Sequence, residues 1–209
     1  MKRYISILLA LVVSYSVSAQ DYYQNGVPVT ADGITFDVEI GKYTWSLSNV
    51  ENTRTEVANW RYKATGQEIQ TEEEFDRLDY GLYDVNMVAK VLKDTFTPME
   101  LAALKRVPLS PMDIYYVFGP DGNILEISLI MTPIPELLSI PPVRFAQLEK
   151  NLKKHIRAYL NSFARQMEFV GGGQIIVFRS IDEQAAAAGT PQGPDRPVDP
   201  LLPEGDGRQ

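Results

Sequence analysis

The stretch from Asp113 to Ile181 most constrains what this chain can fold into, because its apolar pattern changes from strand to helix and back. Two runs rich in β-branched and aromatic residues, 113–118 and 123–131, flank the sequence Gly119-Pro120-Asp121-Gly122. Proline presets the first turn angle and Gly122 can take a positive φ, so the stretch opens with a predicted β-hairpin.

Apolar residues at helical spacing follow a proline-broken connection, and they predict a helix from Pro142 to about Met167 that lies on the sheet. The run Gly171-Gly172-Gly173 comes between this helix and a strand predicted over residues 174–179. A phosphate-binding loop has the opposite order, strand first and helix second, so the glycines are interpreted as a flexible connector.

The first half of the chain predicts a second hairpin and two helices. Apolar and polar residues alternate over 34–40 and 43–47, with Gly41-Lys42 as a two-residue loop. Capping boxes open a helical pattern at Thr71–Glu74, weakened at Gly81, and a short helix at Thr97–Glu100. The predicted fold class is α+β: an antiparallel sheet in the order β-β-α-α-β-β-α-β, with helices packed on one face.

The two ends of the chain differ from this domain, which is predicted to span residues 20–181. Residues 1–19 have a basic start, a short apolar core and small residues before a cut after Ala19, which is typical of a secretory signal peptide. The apolar run is shorter than the ~20 residues that span a bilayer. Residues 182–209 are rich in proline, glycine and acids and predict a disordered tail.

Composition narrows the compartment and the chemistry. The chain has no cysteine, which excludes disulfides and thiolate metal sites, and export without disulfides favours the periplasm or outer surface of a bacterium. The net charge of −7 argues against broad nucleic-acid binding. The single histidine, His155, stands among cations without a visible second ligand. No catalytic residue, metal site or cofactor is predicted.

Three groups of residues are candidate binding elements. Basic residues of the long helix could meet an anionic surface or an acidic partner, or could simply be a solvated helix face. Apolar residues of the proline-bounded connection would form a docking patch if they faced solvent, or would tuck against the sheet. The end of the last strand could accept an added strand. In chain order the candidates are Leu137, Leu138, Ile140, Lys150, Lys154, Arg157, Val177 and Arg179.

The segment Tyr115–Ile127, with Phe145, Leu148 and Leu152 on a helix and a strand at 175–178, is similar to a TonB-type C-terminal domain. That resemblance implies a β-β-α-β interaction fold. The whole chain also resembles small exported proteins of unknown function from Bacteroidetes, which implies no activity.

These patterns predict an exported cell-envelope binding module without catalytic activity. It would bind a protein or surface component through a sheet edge or the proline-bounded loop. The alternative is a carboxylate-dependent hydrolase or a glycan-binding protein, which would use the acids between Glu72 and Asp84 or exposed aromatic residues such as Tyr22 and Tyr23.

Overall fold

The computed structural model describes residues 22–55 and 60–189. The strands within these residues are β1 (Val29–Ala31), β2 (Ile34–Ile40), β3 (Trp45–Asn49), β4 (Tyr80–Leu82), β5 (Met112–Phe118), β6 (Ile124–Met131), β7 (Ala158–Leu160) and β8 (Val170–Ile176). Six of them form one sheet in the order β1-β2-β3-β6-β5-β8, in which every neighbouring pair is antiparallel. β4 and β7 form a separate ribbon.

The helices over the same residues are α1 (Glu72–Asp76), α2 (Val85–Thr95), α3 (Pro98–Leu104), α4 (Pro135–Leu138), α5 (Pro142–His155) and α6 (Ile181–Ala186). α5 packs on β1 and β6, and α2 packs on α5 and α6. The predicted α+β class with an antiparallel sheet is therefore confirmed. Among the described residues, no helix is long and apolar enough to span a membrane.

Both predicted hairpins are present. In the β5–β6 hairpin, the N–H of Gly119 donates to the carbonyl of Asn123 at 2.9 Å, and Gly122 takes a φ of +78°, as predicted. The β2–β3 turn is different from its prediction. β3 begins at Trp45 and not at residue 43, because the Gly41 N–H donates to the Thr44 carbonyl at 2.8 Å and places Lys42 at the tip.

Both capping boxes form, at Thr71 with Glu74 and at Thr97 with Glu100. The helical pattern that follows the first box is not one continuous helix. It is divided into α1, β4 and α2, with Gly81 in the centre of β4, and α2 has its own N-cap, Asp84.

The long helix is shorter than its spacing predicts, since α5 ends at His155. Beyond it, Ile156, Ala158 and Leu160 are buried at every second position, which is strand periodicity, and β7 pairs with β4. Ile156 and Leu160 fit both periods, and the partner strand β4 decides between them. Farther on, residues 164–166 form a short 3-10 helix.

The interpretation of Gly171–Gly173 as a flexible connector is wrong, because these glycines lie inside β8 and pair with β5. A Cβ on Gly171 would lie 2.3 Å from the hydroxyl oxygen of Tyr115, and one on Gly172 would lie 3.2 Å from the ring of Tyr80. The glycines are therefore the part of the strand over which two tyrosine rings pack.

The core lies between the sheet and the helices and is rich in aromatic residues. Trp45, from β3, is 1% exposed and packs against Tyr23 and Phe145 with centroid distances of 4.8 and 6.0 Å. Phe96 reaches Phe145 from the far side, at 6.1 Å. These tilted and edge-on contacts join the N-terminal segment, the sheet and α5 in one apolar cluster.

The first residues of the predicted disordered tail, 182–209, belong to a helix. Residues 181–186 form α6, which packs on α2, and the carboxylate of Asp182 joins Lys93 and Lys105 at 3.1 and 2.5 Å. Those two lysines hold the pKa of Asp182 below its ordinary value. The remainder of the predicted tail, residues 190–209, and the predicted signal peptide lie outside the described residues.

Candidate binding face on the open side of the sheet

The two faces of the six-stranded sheet carry different side chains, because side chains alternate along each strand. One face is apolar and buried; Val38, Leu47 and Ile114 on it are all at most 2% exposed. The other face carries the polar side chains that alternate with these apolar ones along the strands, and we call it the open face. One row of directly paired residues crosses five strands on this face: Asp37, Ser48, Ser128, Tyr115 and Gly173.

A groove of about 400 Å³ runs along the open face, and a second depression of about 500 Å³ continues it toward the Gly41 turn. The two share Glu39, Ser46 and Ile130. The remaining lining residues of the 400 Å³ groove are Asp37, Ser48, Thr55, Tyr115 and Ser128. We call the two depressions together the acidic groove. Within the part of the chain that the structure describes, no lysine, arginine or histidine lines it.

The two carboxylates of the acidic groove are Asp37 and Glu39, which point the same way from β2 at a spacing of about 6.8 Å along the strand. Neither forms an ion pair or a side-chain hydrogen bond with any residue in the ranges 22–55 and 60–189. Beside them, the hydroxyl groups of Ser48 and Ser128 share a hydrogen bond of 2.8 Å. Polar groups with unused hydrogen-bonding capacity therefore line an open surface.

One end of the open face is covered by the segment that follows β3. The carboxylate of Glu126 is buried there and accepts hydrogen bonds from the backbone N–H groups of Thr53, Arg54 and Thr55 at 3.0, 2.8 and 2.9 Å. The Arg54 guanidinium adds an ion pair at 3.1 Å. Burial acts to raise the pKa of Glu126, but these hydrogen bonds together outweigh it and hold the pKa below its ordinary value. This carboxylate positions Thr55 at the groove.

The structure buries most of the proline-bounded connection. Leu137 and Ile140 are at most 1% exposed, and Leu138 packs partly against the core. The hydroxyl of Tyr23 donates to the Ile140 carbonyl at 2.8 Å. The tucked arrangement is therefore the one adopted, and Leu137 and Ile140 do not form a solvent-facing patch.

The basic residues of α5 are largely paired within the chain. Lys150 bridges to Asp32 at 2.8 Å, and Lys153 bridges to the buried Glu149 at 2.7 Å. Arg157 donates from its guanidinium to the carbonyls of Lys153 and Ile156, where the helix ends. Only Lys154 of this group has no partner among the described residues. The ion pairs of Lys150 and Lys153 neutralise part of the charge on which an anionic partner would depend.

The Lys150–Asp32 pair is half exposed at both side chains, so we expect Lys150→Gln to change the free energy of unfolding by less than about 1 kcal/mol. Urea unfolding at low and at high salt would measure this. The difference between the two proteins should shrink at high salt, because exposed charges are screened. A salt-independent loss of more than about 2 kcal/mol would contradict a surface role for the pair.

β8 is an edge strand of the sheet. Val177 follows its last residue and is 41% exposed. Arg179 is exposed in a short 3-10 turn. The structure thus separates these two residues from the strand itself, which ends at Ile176. A binding role for them stays a prediction.

Two of the acids between Glu72 and Asp84 have structural roles. Glu74 closes the capping box of α1 and accepts a hydrogen bond from the Tyr62 hydroxyl at 2.8 Å. Asp84 caps α2 and accepts from the Gly189 N–H at 2.7 Å. No group of three acidic or histidine residues within the described ranges could hold a metal ion.

Comparison with known proteins gives a structural likeness. No family model and no curated protein matches the sequence. A DUF5043 family protein from Bacteroides uniformis, solved by crystallography, is similar in structure with a TM-score of 0.60 and 16% sequence identity. The likeness covers 77% of this chain and 95% of that one. The two proteins share a fold.

At 16% identity the likeness extends to the fold and carries no activity or ligand. The sequence predicted a resemblance to Bacteroidetes proteins of unknown function. The matched structure comes from a Bacteroides and has the same architecture, which agrees with that part of the prediction. The matched protein is not described as a TonB-type domain, so that resemblance stays a prediction.

The acidic groove was not among the sequence-based candidates. Its signal was present as the polar half of two alternating strands, but polar alternates are also what an ordinary solvated sheet face carries. Only the sheet order β2-β3-β6-β5 shows that Asp37, Ser128 and Tyr115 lie in one row.

Proposed function

We propose that this protein is an exported, non-catalytic interaction module that binds a basic segment of a partner protein in the acidic groove. The observation that carries the proposal is the pair Asp37 and Glu39, which lie in a groove without a basic residue and lack partners among the described residues. Export is inferred from the predicted signal peptide at residues 1–19.

Charge complementarity supports a basic partner. A cleft lined by one sign of charge attracts the opposite sign and speeds its association. The net charge of −7 acts in the same direction, and an anionic ligand would meet repulsion from both sources. An extended segment suits the site because the depressions continue one another along the sheet and share three lining residues.

A glycan is the second candidate, favoured by the hydroxyl groups along the same groove. Ser46, Ser48, Thr55 and Tyr115 offer donors and acceptors, and the Tyr115 ring offers a surface for stacking. A neutral sugar would bind with little dependence on salt, whereas a basic peptide would weaken as salt rises. Salt dependence therefore separates the two candidates.

The hydrolase interpretation has less support than either. Of the acids between Glu72 and Asp84 on which it depended, Glu74 and Asp84 already cap helices. The resemblance of residues 113–181 to a TonB-type domain is compatible with a binding role and remains part of this proposal.

We expect the double substitution Asp37→Asn with Glu39→Gln to weaken binding of a fluorescein-labelled octalysine peptide by about tenfold at low salt, as two exposed ion pairs are lost. Fluorescence anisotropy would measure the affinity. The matched control is Glu72→Gln with Glu73→Gln, which removes the same net charge from exposed first-turn positions of α1. The control should lose no more than about twofold.

Equal losses in the two double variants would contradict the proposal, because binding would then follow net charge and not the acidic groove. Salt-insensitive binding of a neutral hexasaccharide that is abolished by the groove variant would overturn it in favour of the glycan candidate. Export is tested separately: the periplasmic or secreted form should have Gln20 as its first residue.

A further inference from the structure

A second pocket lies on the helix-covered side of the sheet, between the β4–β7 ribbon and the β5–β8 end. Its volume is about 380 Å³. The rings of Tyr80, Tyr116 and Phe118 line it, together with the aliphatic side chains of Leu82 and Val85. We call it the aromatic pocket. It is separate from the acidic groove, because Tyr116 and Tyr115 point to opposite faces of the sheet.

The glycines of β8 make room for this pocket. Gly172 and Gly173 contribute only backbone to its wall, and a Cβ on Gly172 would lie 3.2 Å from the Tyr80 ring. The Tyr80 hydroxyl donates to the Gly171 carbonyl at 2.5 Å and so ties the ribbon to the edge strand. A side chain at position 172 would occupy the same space, whereas a Cβ on Gly173 would point to the open face beside Tyr115.

The polar groups of the aromatic pocket are few and uncharged. The Tyr116 hydroxyl donates to Oε1 of Gln174 at 3.4 Å, which leaves Nε2 of Gln174 with no acceptor among the described residues. Burial raises the pKa of both Tyr80 and Tyr116, so their hydroxyl groups stay neutral. No charged side chain of the described chain lines the pocket.

We propose that the aromatic pocket binds an uncharged aromatic ring that carries a hydrogen-bond acceptor, such as an aryl ketone. The ring packs against Tyr80 and Val85, which are partly exposed, and beside the buried edges of Tyr116 and Phe118, and Nε2 of Gln174 donates to the acceptor. The size is sufficient, since a cavity of roughly 150 Å³ holds benzene and ligand pockets begin near 300 Å³. A carboxylate would lose its hydration there without gaining a positive partner.

The test uses the isotope-labelled protein and two probes of similar size, acetophenone and benzoate. We expect acetophenone to shift the amide resonances of Gly172, Gly173 and Gln174 saturably, while Gly26 and Gly33 in distant turns stay unmoved. Benzoate should cause no saturable shift. Gln174→Leu should weaken acetophenone binding by about threefold to tenfold, as one hydrogen bond is lost.

Gly172→Val fills the pocket from β8, where an added Cβ lies 3.2 Å from the Tyr80 ring, and should abolish binding. Ile175→Ala is the control, because Ile175 is 66% exposed on the open face. The proposal is overturned if acetophenone causes no saturable shift, if benzoate binds equally well, or if a folded Gly172→Val protein binds as before. Variants of the acidic groove should leave this binding unchanged, so the two proposals stand or fall separately.

Discussion

Gly122→Ala is expected to lower the free energy of unfolding by about 3–5 kcal/mol. Gly122 has a φ of +78°, which a residue with a Cβ rarely adopts, and the added Cβ would lie 2.3 Å from the carbonyl oxygen of Ala158. Ala158 begins β7, and its N–H donates to the Gly122 carbonyl at 2.9 Å. The clash is with backbone, so no side-chain rotation relieves it, and either the turn or the ribbon must move.

Gly33→Ala is the matched control, because Gly33 has a φ of +77° and no atom within 4 Å of its added Cβ. It should lose only the cost of the positive φ, about 1 kcal/mol. Urea unfolding of the three proteins would measure both losses. Equal destabilisation of the two variants would show that the turn conformation alone matters and that the contact with β7 does not.

Glu126→Gln is expected to lower the free energy of unfolding by about 2–3 kcal/mol, because the buried carboxylate accepts three backbone N–H groups and pairs with Arg54. The amide has a single acceptor oxygen, and its NH₂ group would face donors. The exposed Glu39, which has no partner among the described residues, provides the control Glu39→Gln, which should stay within about 0.5 kcal/mol of the parent.

The same substitution has a pH signature. The pKa of Glu126 is lower in the folded protein than in the unfolded chain, so its ionised form contributes stability above the unfolded value of about 4.3. That contribution is lost as the pH falls through the folded pKa. The stability difference between the parent and Glu126→Gln should therefore be largest near neutral pH and shrink in acid. A difference that grew on acidification would mean that the folded pKa is raised.

The sequence alone predicted those elements that are determined by interactions between residues close together in the chain. The Gly-Pro-Asp-Gly turn, the alternation over 34–40 and the two capping boxes all depend on neighbours in sequence, and each is present as predicted. The α+β class followed from the order of these elements.

Tertiary structure decided the remainder, because the deciding partner is distant in sequence. Residues 158–160 form a strand and not a helix because they pair with β4. The glycines of β8 form a strand and not a connector, and the rings of Tyr115 and Tyr80 that pack over them explain why glycine is needed there. Leu137 is apolar whether it faces solvent or core, and only packing places it in the core. The acidic groove and the aromatic pocket likewise exist only where strands from both halves of the chain meet.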